Sequence, residues 1–209
     1  WALAILAGVA LSFFAMTGFE NTANVAEETI DPHRSFPRSL IGGMIKQGFA
    51  ATDIDVIDLG TEARAKLAGA YGVTCHASAE TAPAGPDILV LAVKPQQMKE
   101  AVAPLVGKLG NALVISIAAG LDMAALSRWL GGHRQIVRCM PNTPALIGAG
   151  ITGLCALPEV STDQRAAADR VLRAVGTTLW IEDEAKIDGV TAISGTGPAY
   201  VIIFSEALT

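Results

Sequence analysis

Five short runs hold the residues of this 209-residue chain that can do chemistry. Asp58 closes the run Ile54-Asp-Val-Ile-Asp58, Lys94 stands before Pro95, and small residues fill Ser116-Ile-Ala-Ala-Gly120. Pro141 and Pro144 bracket Asn142 and Thr143, and Gly195 and Gly197 flank Thr196 just ahead of Pro198. A carboxylate at Asp58 can accept hydrogen bonds from ribose hydroxyls, a Lys94 ammonium can meet a phosphate, and a loop of Ser116, Ala118 and Ala119 lets a flat ring or phosphate approach the backbone. The Ser194–Gly197 run precedes a first-turn proline, and the exposed N–H groups of a helix start favour an anion. Each run also has a plain reading. Asp58 is then a surface carboxylate, Lys94 a solvated cation, Ser116–Gly120 a tightly packed loop, Asn142–Thr143 an ordinary turn and Gly195–Gly197 a capping break. Local residues leave both readings open.

Other chemistries find less support. Cys75, Cys139 and Cys155 are odd in number and lack CxxC spacing, so neither a disulfide framework nor a zinc knuckle is suggested, and a reducing compartment fits. His33, His76 and His133 are scattered without paired-ligand spacing, so no metal is expected. A net charge of -5 with 15 Lys+Arg argues against a nucleic-acid backbone as partner, and 51% hydrophobic content allows a sizeable core.

The elements that must position these runs follow from periodicity. Ile136 and Val137 favour a strand that Pro141 must end, because proline has no N–H to continue a ladder. The apolar run Asp87–Val93, bounded by Pro86 and Pro95, suits a parallel strand buried on both faces. Further strands are predicted over Ile54–Asp58, Ala112–Ser116, Gly150–Ala156 and Thr177–Ile181. Helices are predicted over Ser39–Gly48, Thr61–Tyr71 with Leu67 and Ala68 on its apolar face, Gln96–Val106, and Met123–Leu130 capped by Asp122. Another runs from a cap at Ser161 or Thr162 to Ala174, and a last from Ile187 to Thr209, broken at Gly195–Pro198. This alternation calls for an α/β fold with a doubly wound, Rossmann-like parallel sheet, whose ligands bind off the carboxyl ends of the strands. Such a sheet should open with a strand and a GxGxxG turn. Phe36-Pro-Arg-Ser39 stands there instead, so the sheet is expected to lack its first strand and glycine loop. Gly42 and Gly43 fall inside a helix and suit close packing against the sheet.

Trp1–Phe19 has no charged residue and is long enough to cross a bilayer as a helix. Gly18-Phe-Glu-Asn21, Ala23-Asn-Val-Ala-Glu-Glu28 and Pro32-His-Arg-Ser-Phe-Pro-Arg38 follow it. They resemble the loop after a transmembrane helix in permeases of the amino acid–polyamine–organocation superfamily, which would confine any membrane contact to residues 1–19.

From Ser39 onward the chain resembles another family. Leu91-Ala-Val-Lys-Pro-Gln96, Ser116-Ile-Ala-Ala-Gly120, Arg138-Cys-Met-Pro-Asn-Thr-Pro144, Asp188-Gly-Val-Thr-Ala192 and Ser194-Gly-Thr-Gly-Pro-Ala-Tyr200 occur in the order and spacing of pyrroline-5-carboxylate reductases. The resemblance implies reduction of the C=N bond of 1-pyrroline-5-carboxylate to L-proline with hydride from NADPH or NADH, as part of proline biosynthesis in the cytoplasm. Asp58, Ala92, Val93, Lys94, Pro95, Ser116, Ala118 and Ala119 would then face the cofactor. Asn142, Thr143, Ser194, Gly195, Thr196 and Gly197 would approach the nicotinamide and substrate. The resemblance identifies no catalytic acid, and implies no metal and no covalent intermediate. It implies three segments: a foreign, permease-like piece at 1–38, an incomplete dinucleotide-binding domain at 39–190, and the start of an all-α dimerisation domain at 191–209. A chimera is the simplest account. A working reductase, an inactive reductase fragment, an inactive nucleotide-fold binding module and, on residues 1–38 alone, a membrane amino-acid transporter fragment all stay open.

Overall fold

The computed structural model describes residues 3–6 and 32–190. Strands β1 (Leu3–Leu6), β2 (Ile54–Ile57), β3 (Thr74–His76), β4 (Ile88–Leu91), β5 (Leu113–Ser116), β6 (Ile136–Met140), β7 (Gly150–Ala156) and β8 (Gly176–Trp180) form one 8-stranded sheet. Their order is β3-β2-β1-β4-β5-β6-β7-β8. All neighbours pair parallel except β6 and β7, which are antiparallel. The helices are α1 (Pro32–Lys46), α2 (Thr61–Tyr71), α3 (Pro95–Val102), α4 (Met123–Trp129), α5 (Thr162–Leu172) and α6 (Ala185–Val190).

Two apolar layers sandwich the sheet. Ile88 and Val90 of β4 join Leu40, Ile41 and Met44 of α1, Leu67 of α2 and Val171 of α5 on one face. Leu89 and Leu91 join Met98 of α3, Leu126 of α4 and Ile187 of α6 on the other. Successive side chains of a strand point to opposite faces, so a strand covered on both must be apolar throughout. The doubly wound α/β sheet is therefore what the unbroken apolar runs required.

Several expectations are corrected. The place of the first strand, expected to be vacant, is filled by Leu3–Leu6, which pairs with β2 on one side and β4 on the other. A four-residue apolar run has no periodicity to tell strand from helix, and two flanking strands complete its backbone hydrogen bonds. A helix across Trp1–Phe19 is thereby excluded at Leu3–Leu6, and residues 7–31, where a glycine turn would fall, lie outside the described residues. Helix α1 begins at Pro32 rather than Ser39, since a proline is tolerated where the N–H would have no helical partner. Ala68 is exposed, and Leu67 alone is buried on α2. Strand β3 was not predicted, because three residues at a sheet edge are too few to show alternation. The break expected at Gly195–Pro198 lies outside the described residues.

Asp122 caps α4 by accepting from the Ala125 N–H, and Ser161 forms a full capping box with Gln164 at the start of α5. Asp169 of α5 accepts from the Thr178 hydroxyl and from the Arg173 guanidinium, tying α5 to β8. Burial alone would raise its carboxyl, but those hydrogen bonds outweigh it and hold the group below the usual carboxylate range.

Thr152 of β7 is fully buried, and its hydroxyl has no hydrogen-bond partner among the described residues. Removing an unsatisfied buried hydroxyl while keeping the shape relieves a desolvation cost of roughly 1–3 kcal/mol. Thr152→Val is expected to stabilise the chain by about 1 kcal/mol, read as a higher urea midpoint at unchanged slope. A lower midpoint would show that the hydroxyl has a partner.

Candidate functional site

Because β1, β2, β4, β5 and β6 are parallel, their carboxyl ends share one edge of the sheet. The register sets these ends nearly level: Leu6 is opposite Ile57 and Leu91, Leu91 is opposite Ser116, and Ser116 is opposite Arg138. Antiparallel β7 starts at the same edge. Asp58, Ala92–Pro95, Ser116–Ala119 and Asn142–Thr143 are thus brought together along a line of four strand spacings, roughly 19 Å. The strand order reverses at β1, between β2 and β4, where sheets of this kind leave a crevice.

At the β2 end, the Asp58 N–H donates to the His76 carbonyl at 3.1 Å, and the Gly60 N–H donates to Asp58 Oδ1 at 2.7 Å. Arg64, in the first turn of α2, donates through Nη1 to the Asp58 carbonyl at 2.7 Å and through Nη2 to Thr61 Oγ1 at 3.1 Å. The tip therefore carries a carboxylate and a guanidinium side by side.

At the β4 end, Ala92 and Val93 are buried, whereas Lys94 is half-buried and Pro95 opens α3. The Ile117 N–H donates to the Leu91 carbonyl at 3.2 Å, which draws the β5 loop onto the β4 tip. The Ser116 hydroxyl is buried and accepts from the Ala118 N–H at 3.3 Å, closing that loop. Ala118 is buried and Ala119 half-buried.

The β6 end is held by hydrogen bonds to three other segments or turns of chain. Thr143–Ile147 form a short 3-10 helix after Pro141, ended by Gly148 in the left-handed region. Asn142 holds this corner with both of its oxygens. Its carbonyl accepts from the Ala145 N–H at 3.0 Å, and Oδ1 accepts from the Ile151 N–H of β7 at 2.9 Å. The Ser39 hydroxyl donates to the Leu146 carbonyl at 2.7 Å, so α1 buttresses the corner from one side. Ser194, Gly195, Thr196 and Gly197, expected across the cleft, lie outside the described residues.

The three cysteines are free thiols, two of them buried and Cys75 half-buried. Burial is the largest cause raising the thiols of Cys75, Cys139 and Cys155, and the charge of Glu184 adds to it at Cys155. A thiol so raised stays protonated and inert at neutral pH.

Sequence reasoning passed over two basic residues. Arg64 signals itself only by lying three residues after Thr61 in the first turn of a helix. Arg138 opens the Arg138–Pro144 motif, but a lone arginine on an apolar strand carries no local sign of its partners. It is 4% exposed on β6, donating through Nη1 to Glu184 Oε1 at 3.2 Å and through Nη2 to Asp188 Oδ1 at 2.7 Å. Glu184 Oε1 also accepts from the Met123 N–H at 2.8 Å, a link across 61 positions that no local pattern reveals.

Sheet order and polar edge together define a doubly wound α/β protein of the dinucleotide-binding kind. A family model described as NADP oxidoreductase, coenzyme F420-dependent, matches residues 35–120. A pyrroline-5-carboxylate reductase of Pseudomonas aeruginosa is 48% identical over 174 residues, covering 82% of this chain and 63% of that protein. One from Haemophilus influenzae is 40% identical over 172 residues with the same coverage. The solved structure of a pyrroline-5-carboxylate reductase from Coxiella burnetii superposes with a TM-score of 0.81 at 30% identity, covering 99% of this chain and 68% of that one. The chain belongs to the pyrroline-5-carboxylate reductase family. It spans about 63% of the length of the curated relatives it matches. The transporter reading of residues 1–38 finds no support: Leu3–Leu6 is a strand, and among the described residues no helix is long and apolar enough to cross a membrane.

Proposed function

We propose that this chain is the nucleotide-binding part of a pyrroline-5-carboxylate reductase, which reduces the C=N bond of 1-pyrroline-5-carboxylate to L-proline with NADPH or NADH. The observation that carries the reading is the level edge holding Asp58, Lys94, the Ser116–Ala119 loop and the Asn142–Thr143 corner, in a chain 48% identical to one such reductase. The dinucleotide supplies hydride, and the donors and acceptors at the edge suit it. Asp58 accepts from ribose hydroxyls, and Arg64 beside it meets a phosphate on that ribose. Ala92, Val93 and the Ser116–Ala119 loop offer backbone and little side chain, so a flat ring can lie close. Asn142 and Thr143, fixed on a stiff corner, orient the imine, while the Ser194–Gly197 turn takes the substrate carboxylate. The work of the protein is then near-attack geometry and exclusion of water rather than covalent chemistry.

In this reading the nucleotide unit expected over 39–190 takes in the whole of α1 from Pro32 and Leu3–Leu6 as central strand, and residues 191–209 begin a helical domain through which two copies pair. The setting is the cytoplasm, where three free thiols remain reduced.

Titrating the 209-residue chain with NADPH and NADH by nucleotide fluorescence tests the reading. Micromolar binding together with pyrroline-5-carboxylate-dependent loss of reduced nucleotide is the expected result. Binding without turnover would reduce the chain to a nucleotide-binding module, and no binding would overturn the proposal.

A further inference from the structure

We propose that Arg138 is a positioning residue whose buried guanidinium, bridging Glu184 and Asp188, sets how α6 and the start of α4 sit against the Asn142–Thr143 corner. The inference rests on the placement of substrate at that corner.

Burying a cation on an inner strand is costly, and a well-packed apolar side chain is often as stabilising or more so. What an arginine adds is a planar fork able to address two carboxylates at fixed angles, which a lysine ammonium does not reproduce. Here the two arms serve different pieces of chain. One reaches Glu184, in the connection after β8, and the other reaches Asp188 inside α6. Glu184 Oε1 is shared, because it also takes the Met123 N–H at the start of α4, directly after the Ser116–Gly120 loop and Asp122.

A single side chain therefore joins three parts of the edge. Arg138 lies two residues before Met140, the end of β6, and so anchors the strand that delivers Asn142. Through Glu184 it holds the return of the β5 loop into α4. Through Asp188 it holds α6, whose Val190 is four positions before Ser194, a chain length of at most about 14 Å. Cys155, directly opposite Arg138 in the register, feels the Glu184 charge, in keeping with a carboxylate fixed over this part of the sheet. Asp188 is 69% exposed, so its carboxylate can be neutralised without opening the core.

Hydrogen exchange on the 209-residue chain and its Arg138→Met, Arg138→Lys and Asp188→Asn variants provides the test, with steady-state kinetics alongside. In Arg138→Met the Met123 amide and the amides of Ala185–Val190 are expected to exchange at least about tenfold faster while those of β4 and β5 stay within about twofold. Asp188→Asn is expected to loosen Ala185–Val190 alone, and Arg138→Lys to restore little. In turnover, KM for the imino acid is expected to rise about tenfold in Arg138→Met, with the dissociation constant of NADPH within about twofold of the parent. Uniform acceleration across the sheet would make Arg138 a mere stability element and overturn the inference, as would unchanged exchange or a parallel loss of nucleotide affinity. If the parent chain neither binds nucleotide nor turns over, the reductase reading falls, and the exchange pattern still decides whether Arg138 fixes these two segments.

Discussion

Replacing Gly43 by alanine is expected to destabilise the chain by about 3 kcal/mol, the upper end of ordinary overpacking. A Cβ built there would lie 2.1 Å from the Ala174 carbonyl oxygen and 2.8 Å from its carbon. Both are backbone atoms of the 3-10 turn that follows α5, so relief requires moving α1 bodily away from it. That shift would also disturb the Ser39 bond to Leu146, and with it the corner carrying Asn142 and Thr143. Helix propensity works in the opposite direction, since alanine is about 1 kcal/mol better than glycine in a helix interior, but the overlap is larger. For a chain of this length the loss corresponds to a Tm lower by roughly 6–12 °C. Gly42→Ala is the internal control. Its Cβ would meet the ring of Tyr71 at 3.1 Å, and the far end of a side chain can turn aside. That variant is expected to stay within about 1 kcal/mol of the parent. Calorimetry on the two variants decides the matter: equal melting temperatures would show that α1 does not approach Ala174 so closely.

The second large effect concerns choice of nucleotide. Arg64→Ala is expected to weaken NADPH binding by about 10- to 100-fold, the value of a charge-assisted hydrogen bond of roughly 1.5–3 kcal/mol. NADH binding should change by less than about threefold, because Asp58, the proposed acceptor for the ribose hydroxyls, is untouched. The guanidinium is already steered by the Asp58 carbonyl and Thr61 Oγ1, so little ordering entropy remains to be lost when a phosphate arrives. Asp58→Ala is expected to act in the opposite sense, weakening NADH more than NADPH by removing a carboxylate that repels a phosphate. Equal losses for both nucleotides in Arg64→Ala would place the ribose phosphate elsewhere and sink this assignment.

Much of the fold was legible in the residues because the signals were local and redundant. The apolar run of β4 between two prolines reads as a doubly covered strand, and all four residues of Ile88–Leu91 are buried. Helix α2 and strand β7 have the predicted bounds, and Asp122 and Ser161 announce the helices they cap. What escaped had either too little pattern or a misleading one. Strand β3 is three residues long, Leu3–Leu6 lies in a stretch apolar throughout, and Pro32 hid the start of α1 behind an expected boundary. Gly42 and Gly43 were expected to pack against the sheet; they meet Tyr71 and Ala174, parts of neighbouring helices, because helix–helix partners are not encoded in either helix alone.

The same division runs through the site. The residue order alone determined which side chains stand at strand ends, because prolines and apolar runs terminate strands locally, and the motifs from Leu91 to Pro144 determined the family. Only the tertiary structure decided that these ends are level, since register depends on pairing between distant segments. It alone decided that Arg64 shares the tip with Asp58, and that Asn142 spends its side-chain oxygen on β7. The junction of Arg138, Glu184, Asp188 and Met123 likewise exists only in three dimensions, because a buried charge takes its partners from whatever elements the fold packs over it.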